Sequence, residues 1–108
     1  MTTVTFHMEG SRITCFEARG HSGYAPAGGD IVCAAVTSAV RLVECTVNDV
    51  MGLRAGVKVD ETAAAISLRL PGGLSAAEDT CQSLLTGLMV YLTQLHDEYP
   101  DHIEVLEA

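Results

Sequence analysis

Asp30-Ile31-Val32-Cys33-Ala34-Ala35-Val36-Thr37-Ser38-Ala39-Val40-Arg41-Leu42-Val43-Glu44-Cys45-Thr46-Val47 is the stretch on which the fold turns. Val32, Val36, Val40, Val43, Val47 and, further on, Val50 recur at three- and four-residue spacing. That period gathers side chains on one face of an α-helix. Asp30 stands where an N-cap is wanted, with a carboxylate able to accept backbone N–H groups of the first turn. The helix is expected to end near Gly52, and its apolar stripe must be laid against another element.

The flanking sequence supplies that element. Thr2 to Glu9 alternates, with Val4, Phe6 and Met8 on one side, and reads as a strand. After the turn signal Gly10-Ser11, a second strand runs from about Arg12 to Arg19, giving an antiparallel hairpin. The inward face of this second strand is open: Ile13 and Cys15 fall on one side, Thr14, Phe16 and Ala18 on the other. Arg54 to Asp60 and Ala64 to Leu70 form a second hairpin, broken by Pro71-Gly72-Gly73. A second amphipathic helix starts at about Ser75 and carries Ala77, Cys81, Leu84, Leu88, Leu92 and Leu95. Pro100 closes it, and Ile103 to Leu106 makes a last short strand. The order β-β-α-β-β-α-β predicts an α/β (α+β) layered sandwich, two helices packed on a mixed or antiparallel sheet, in a single domain over residues 1–108.

Composition narrows the function. Fourteen acidic residues against six basic give a net charge of −8. A nucleic-acid grip needs a basic face to displace counterions, so direct nucleic-acid binding is not expected. The acidic surface instead suits a basic protein or peptide. The longest apolar runs are interrupted by Asp, Glu, Arg, Asn or Thr, so no membrane span is expected. Met1 to Gly10 lacks a basic start and a sustained apolar block, and the expected compartment is the cytoplasm. Cys15, Cys33, Cys45 and Cys81 show no C-x-x-C spacing, and His7, His21, His96 and His102 show no H-x-x-x-H. Free thiols are expected, with no metal and no cofactor.

The chemistry concentrates just before the first helix. Gly20 to Gly29 is a loop held open by glycines and Pro26; His21 opens it, and Cys33 follows in the first helical turn. A thiol at a helix N-terminus feels the positive end of the helix dipole, which favours thiolate. An imidazole nearby can take its proton or stand beside it as imidazolium. Backbone N–H groups from Ile31 to Ala34 are candidates for an oxyanion hole, or for anion binding without chemistry. Asp30 is read first as a cap, with orientation of substrate or of His21 as a second role. Tyr24 either stacks on an extended peptide or pins the loop. Thr37 lies one turn beyond Cys33 on the same face. Cys15, Cys45 and Cys81 lack the loop, the cap and the histidine, and read as packing residues. The other three histidines read as solvated or locally hydrogen-bonded. The loop lacks the Gly-Lys-Ser/Thr end of a P-loop and the G-x-G-x-x-G pattern, so nucleotide binding is not expected.

Gly20-His21, Gly23-Tyr24-Ala25, Gly28 or Gly29, then Asp30-Ile31-Val32-Cys33-Ala34-Ala35-Val36 closely resemble the signature of the ribosomal-processing cysteine proteases. The resemblance implies Cys33 as nucleophile and His21 as its base, with Gly20, Gly23, Tyr24, Gly28, Gly29, Asp30 and Ala34 as supporting or substrate-binding residues; Thr37 joins them by its helical spacing from Cys33. It implies a peptide substrate, the N-terminal extension of a large-subunit ribosomal protein removed during ribosome maturation, and a homodimer. The alternatives are a non-catalytic peptide-binding or regulatory module of ribosome assembly, in which Cys33 is a packed or redox-sensing thiol, and a metal-dependent hydrolase.

Overall fold

The computed structural model describes residues 1–21, 23, 25–26 and 30–108. Strand β1, Thr2–Glu9, turns at Gly10 (φ +63°) into β2, Arg12–Arg19. Helix α1 covers Ile31–Glu44 and continues into a π-helical turn, Cys45–Val50. Strands β3, Gly56–Asp60, and β4, Ala65–Arg69, form the second hairpin. A short 3₁₀ turn, Ser75–Ala77, leads into α2, Glu78–Glu98, and β5 is Ile103–Glu107. The five strands form one mixed sheet in the order β3-β4-β2-β1-β5, with β5 parallel to β1 and every other pair antiparallel.

Register explains which residues become the core. Phe6 pairs with Phe16, which pairs in turn with Leu68, so three large apolar side chains line up across the middle of one face. The two phenyl rings lie 5.9 Å apart in a tilted arrangement. Both helices cover this face: Val32, Val36, Val40, Val43 and Val47 from the first, Cys81, Leu85, Leu88, Leu92 and Leu95 from the second. Each such side chain removed from water contributes about 1.5–3 kcal/mol. The opposite face carries Thr3 bonded to Glu104 (2.9 Å) and Arg19 paired with Glu17 (3.1 Å).

The ambiguity of β2 is resolved by a β-bulge. His7 pairs with Cys15 but Met8 pairs with Ile13, so Thr14 is an extra residue on β2. The inserted residue breaks the two-residue alternation and turns Ile13 to the same face as Phe16 and Ala18. Ile13, Phe16 and Ala18 are all buried beneath the helices. Gln82 of α2 completes the pairing of Ile13, accepting from its N–H and donating to its C=O, both at 2.8 Å. Arg12 and Glu78 form an ion pair beside it.

Three expectations change. Val50 is 76% exposed, because the π-helical turn takes more residues per revolution and rotates it off the valine stripe. In α2 the fully buried position is Leu85, with Leu84 only packed against the core's edge. Ile31–Val50 is in fact long and apolar enough, by length and composition, to cross a bilayer. In the fold its valine stripe lies against the sheet instead.

Candidate active site

Asp30 sets the start of α1. Its backbone is extended (φ −84°, ψ 99°), and its Oδ1 accepts from the N–H groups of Val32 (3.0 Å) and Cys33 (2.9 Å). Its carbonyl accepts from Ala34 N–H at 3.1 Å. This is the N-cap arrangement, and it places Cys33 in the first helical turn, half-buried, beside the fully buried Val32. It also revises the reading of the backbone donors. The Asp30 carboxylate engages the N–H groups of Val32 and Cys33, and Ala34 N–H makes the first intrahelical bond to Asp30 O, so three of the four N–H groups from Ile31 to Ala34 already have acceptors.

Cys33 opens on a cleft of about 400 Å³ between the start of α1 and the β3–β4 hairpin. His21, Gly20 and Thr37 line the same cleft, so two residues twelve positions apart in the chain face one volume. The other walls are Ala18, Val36, Val59 and Ile66, which are apolar, and Asp60 and Glu61 at the hairpin tip, which are acidic. Among the described residues the lining includes no lysine or arginine. Val59 is 65% exposed, an open apolar surface within reach of anything lying in the cleft.

His21 is exposed, and the chain immediately before it is held from two sides. Gly20 N–H donates to Ala64 O of the hairpin (3.0 Å), and Gly20 O accepts from the Thr2 hydroxyl (3.2 Å). Gly20 has φ +89°, and a Cβ there would stand 2.8 Å from Met1 O, so glycine is required. Gly23, also at positive φ (+72°), is exposed with open space around it. Tyr24, Gly28 and Gly29 lie outside the described residues.

The remaining thiols differ from Cys33 in setting. Cys15 and Cys81 are buried, and burial pushes both above the ordinary thiol value; Glu78 adds to the shift at Cys81. Cys45, expected to be a packing residue, is instead exposed on the π-helical turn, off the buried valine stripe. One ring nitrogen of His96 meets the Ile103 carbonyl at 2.6 Å. Among the described residues, no three His, Cys, Asp or Glu side chains converge on a point that could hold a metal.

The motif's side of the cleft was readable in the chain; the facing side was not. Thr2, Ala18, Val59, Asp60, Glu61, Ala64 and Ile66 reach the cleft only because β4 pairs with β2 and the hairpin tip folds toward α1. No local pattern marks them.

Comparison with known proteins bears on this cleft. A family described as "Cysteine protease Prp" matches residues 1–104. The ribosomal processing cysteine protease Prp of Bacillus subtilis (strain 168) is 30% identical over 94 residues, covering 86% of this chain and 84% of that protein. The fold is also that of an essential ribosomal processing protease Prp from S. aureus, solved with a covalently linked product peptide. That structure has a TM-score of 0.84, 24% identity and full coverage of both chains. SMU.848 from Streptococcus mutans superposes with a TM-score of 0.85 at 21% identity, over 99% of this chain and 93% of that one. A cysteine at a capped helix start, a histidine lining the same cleft and a family match along nearly the whole sequence lead to one conclusion: this chain belongs to the Prp family of ribosomal-processing cysteine proteases.

Proposed function

We propose that this protease works through a Cys33–His21 dyad and removes the N-terminal extension of a large-subunit ribosomal protein. The observation that carries the dyad is the shared cleft, which His21 and Cys33 both line. In the proposed cycle the Cys33 thiolate attacks a peptide carbonyl. The His21 imidazole gives its proton to the departing amine, and water then releases the acyl group from sulfur. Asp30 supports the step by fixing the backbone of Val32 and Cys33, and so the direction of the thiol. Thr37 and the apolar walls formed by Val36, Val59 and Ile66 offer contact to a peptide laid along the cleft. The choice of a ribosomal-protein extension follows from the family and from the Bacillus relative's name; a basic ribosomal segment also suits the chain's charge of −8.

The test is cleavage of a synthetic peptide spanning the host's own ribosomal-protein extension, with mass spectrometry locating the cut. Wild type is expected to cut once. Cys33→Ala is expected to abolish cleavage, and His21→Ala to lower kcat/KM by roughly 10²–10⁴-fold. Retained cleavage by either variant would remove that residue from the mechanism. A peptide bound by the folded wild type and left uncut would overturn the substrate assignment.

A further inference from the structure

We propose that Thr2 is a positioning residue for His21, a role that rests on the reading of His21 as the base. Thr2 is the first residue of β1, lines the cleft, and is only 3% exposed. Its backbone is already committed to the far side: its N–H donates to His102 O (3.0 Å), and it pairs in register with Ile103. The hydroxyl points the other way and donates to Gly20 O at 3.2 Å. A buried hydroxyl must find an acceptor, and the one it uses is the carbonyl of the peptide unit that leads into His21.

The two peptide units that flank Gly20 are held by opposing elements. Ahead of Gly20's α-carbon, its N–H is tied to Ala64 O of the β3–β4 hairpin; behind it, its C=O is tied to Thr2 of β1. The hairpin presents that carbonyl from a residue at φ +50°, a backbone region that costs energy for alanine. Gly20 itself is at φ +89° with Met1 O pressed against the place a Cβ would occupy. With the peptide planes on both sides of Gly20 tethered, its φ and ψ are fixed, and the 20–21 peptide sets the direction in which the chain enters His21, which lines the cleft. An imidazole that must be within hydrogen-bond reach of a thiol gains directly from this, because small displacements of a reacting group cost large rate factors.

The experiment compares Thr2→Val, which keeps the shape and removes the hydroxyl, with Thr2→Ser, which keeps the hydroxyl. The first readout needs no catalysis. In the intact Cys33→Ala protein, ring proton and nitrogen signals of His21 are followed by NMR against those of His7, His96 and His102. Thr2→Val is expected to shift or broaden the His21 signals alone, and Thr2→Ser to restore them. The second readout is peptide cleavage. Thr2→Val is expected to lower kcat about tenfold with KM within about twofold, and to alter the acid limb of the pH–rate profile. Thr2→Ser is expected to stay near wild type.

An unmoved His21 ring in Thr2→Val overturns the proposal, whatever the activity. So does a lower melting temperature accompanied by wild-type kcat and pH profile, which is the signature of a purely structural hydroxyl. A moved ring together with normal cleavage by His21→Ala would sustain the positioning and overturn the dyad instead. If Thr2→Val does not fold, Thr2→Ala removes the same hydroxyl and is read in the same way.

Discussion

At the residue scale the four cysteines separate by environment, although the sequence spells them alike. Cys33 begins a helix behind a cap and faces open volume; Cys15 and Cys81 are shut into the fold, where burial raises their titration. Brief treatment of the native protein with iodoacetamide near neutral pH is therefore expected to label Cys33 and the exposed Cys45. Cys15 and Cys81 are expected to react only after denaturation. Peptide mapping checks this, and native labelling of Cys81 would contradict the packing described here. The same scale shows what a motif conveys. The segment from Gly20 to Val36 singles out Cys33 and His21 as candidates, because a capped helix start and a histidine beside a glycine are local features. Thr2, whose hydroxyl reaches Gly20, is eighteen residues from it in the chain and carries no signal of its own.

At the scale of elements, two glycines with positive φ make different demands. Gly10 closes the β1–β2 hairpin at φ +63°, with open space where a Cβ would go. Gly20 lies at φ +89°, and a Cβ there would meet Met1 O at 2.8 Å. Gly10→Ala is expected to cost about 1 kcal/mol, the penalty for a left-handed alanine. Gly20→Ala adds a backbone clash and is expected to cost about 2–4 kcal/mol. It is also expected to lower cleavage by displacing His21. Urea denaturation of the two variants gives the comparison, and equal costs would mean the Met1–Gly20 approach is not tight. The Thr14 bulge and the π-helical turn belong to this scale as well. Each inserts backbone into a regular element, so each shifts the residues beyond it relative to a fixed period. That is why simple alternation left the face of Ile13 open, and why the valine spacing overran to Val50.

For the whole molecule, stability is coupled to pH through the thiols that the two layers enclose. Cys15 and Cys81 titrate above their ordinary value of 9.0 in the folded chain, chiefly through burial. The native state thus keeps protons that the unfolded chain releases. The stability this provides is complete below about pH 9 and is lost as pH rises through the raised folded values. The urea midpoint of wild type is expected to fall more between about pH 8 and pH 10 than that of the double variant Cys15→Ala/Cys81→Ala. Parallel curves would show that other groups govern the alkaline limb.

What the sequence determined by itself is periodic or contiguous: the strands and helices, the cap at Asp30, and the succession of a histidine, a glycine-rich stretch and a helix-start cysteine. These are legible because their physical causes act over one turn or one pleat. Only the tertiary structure decided the sheet order, the parallel placement of β5 beside β1, and the far wall of the cleft. These depend on which distant segments bury each other's apolar faces and satisfy each other's polar groups, and no local spacing records such a choice.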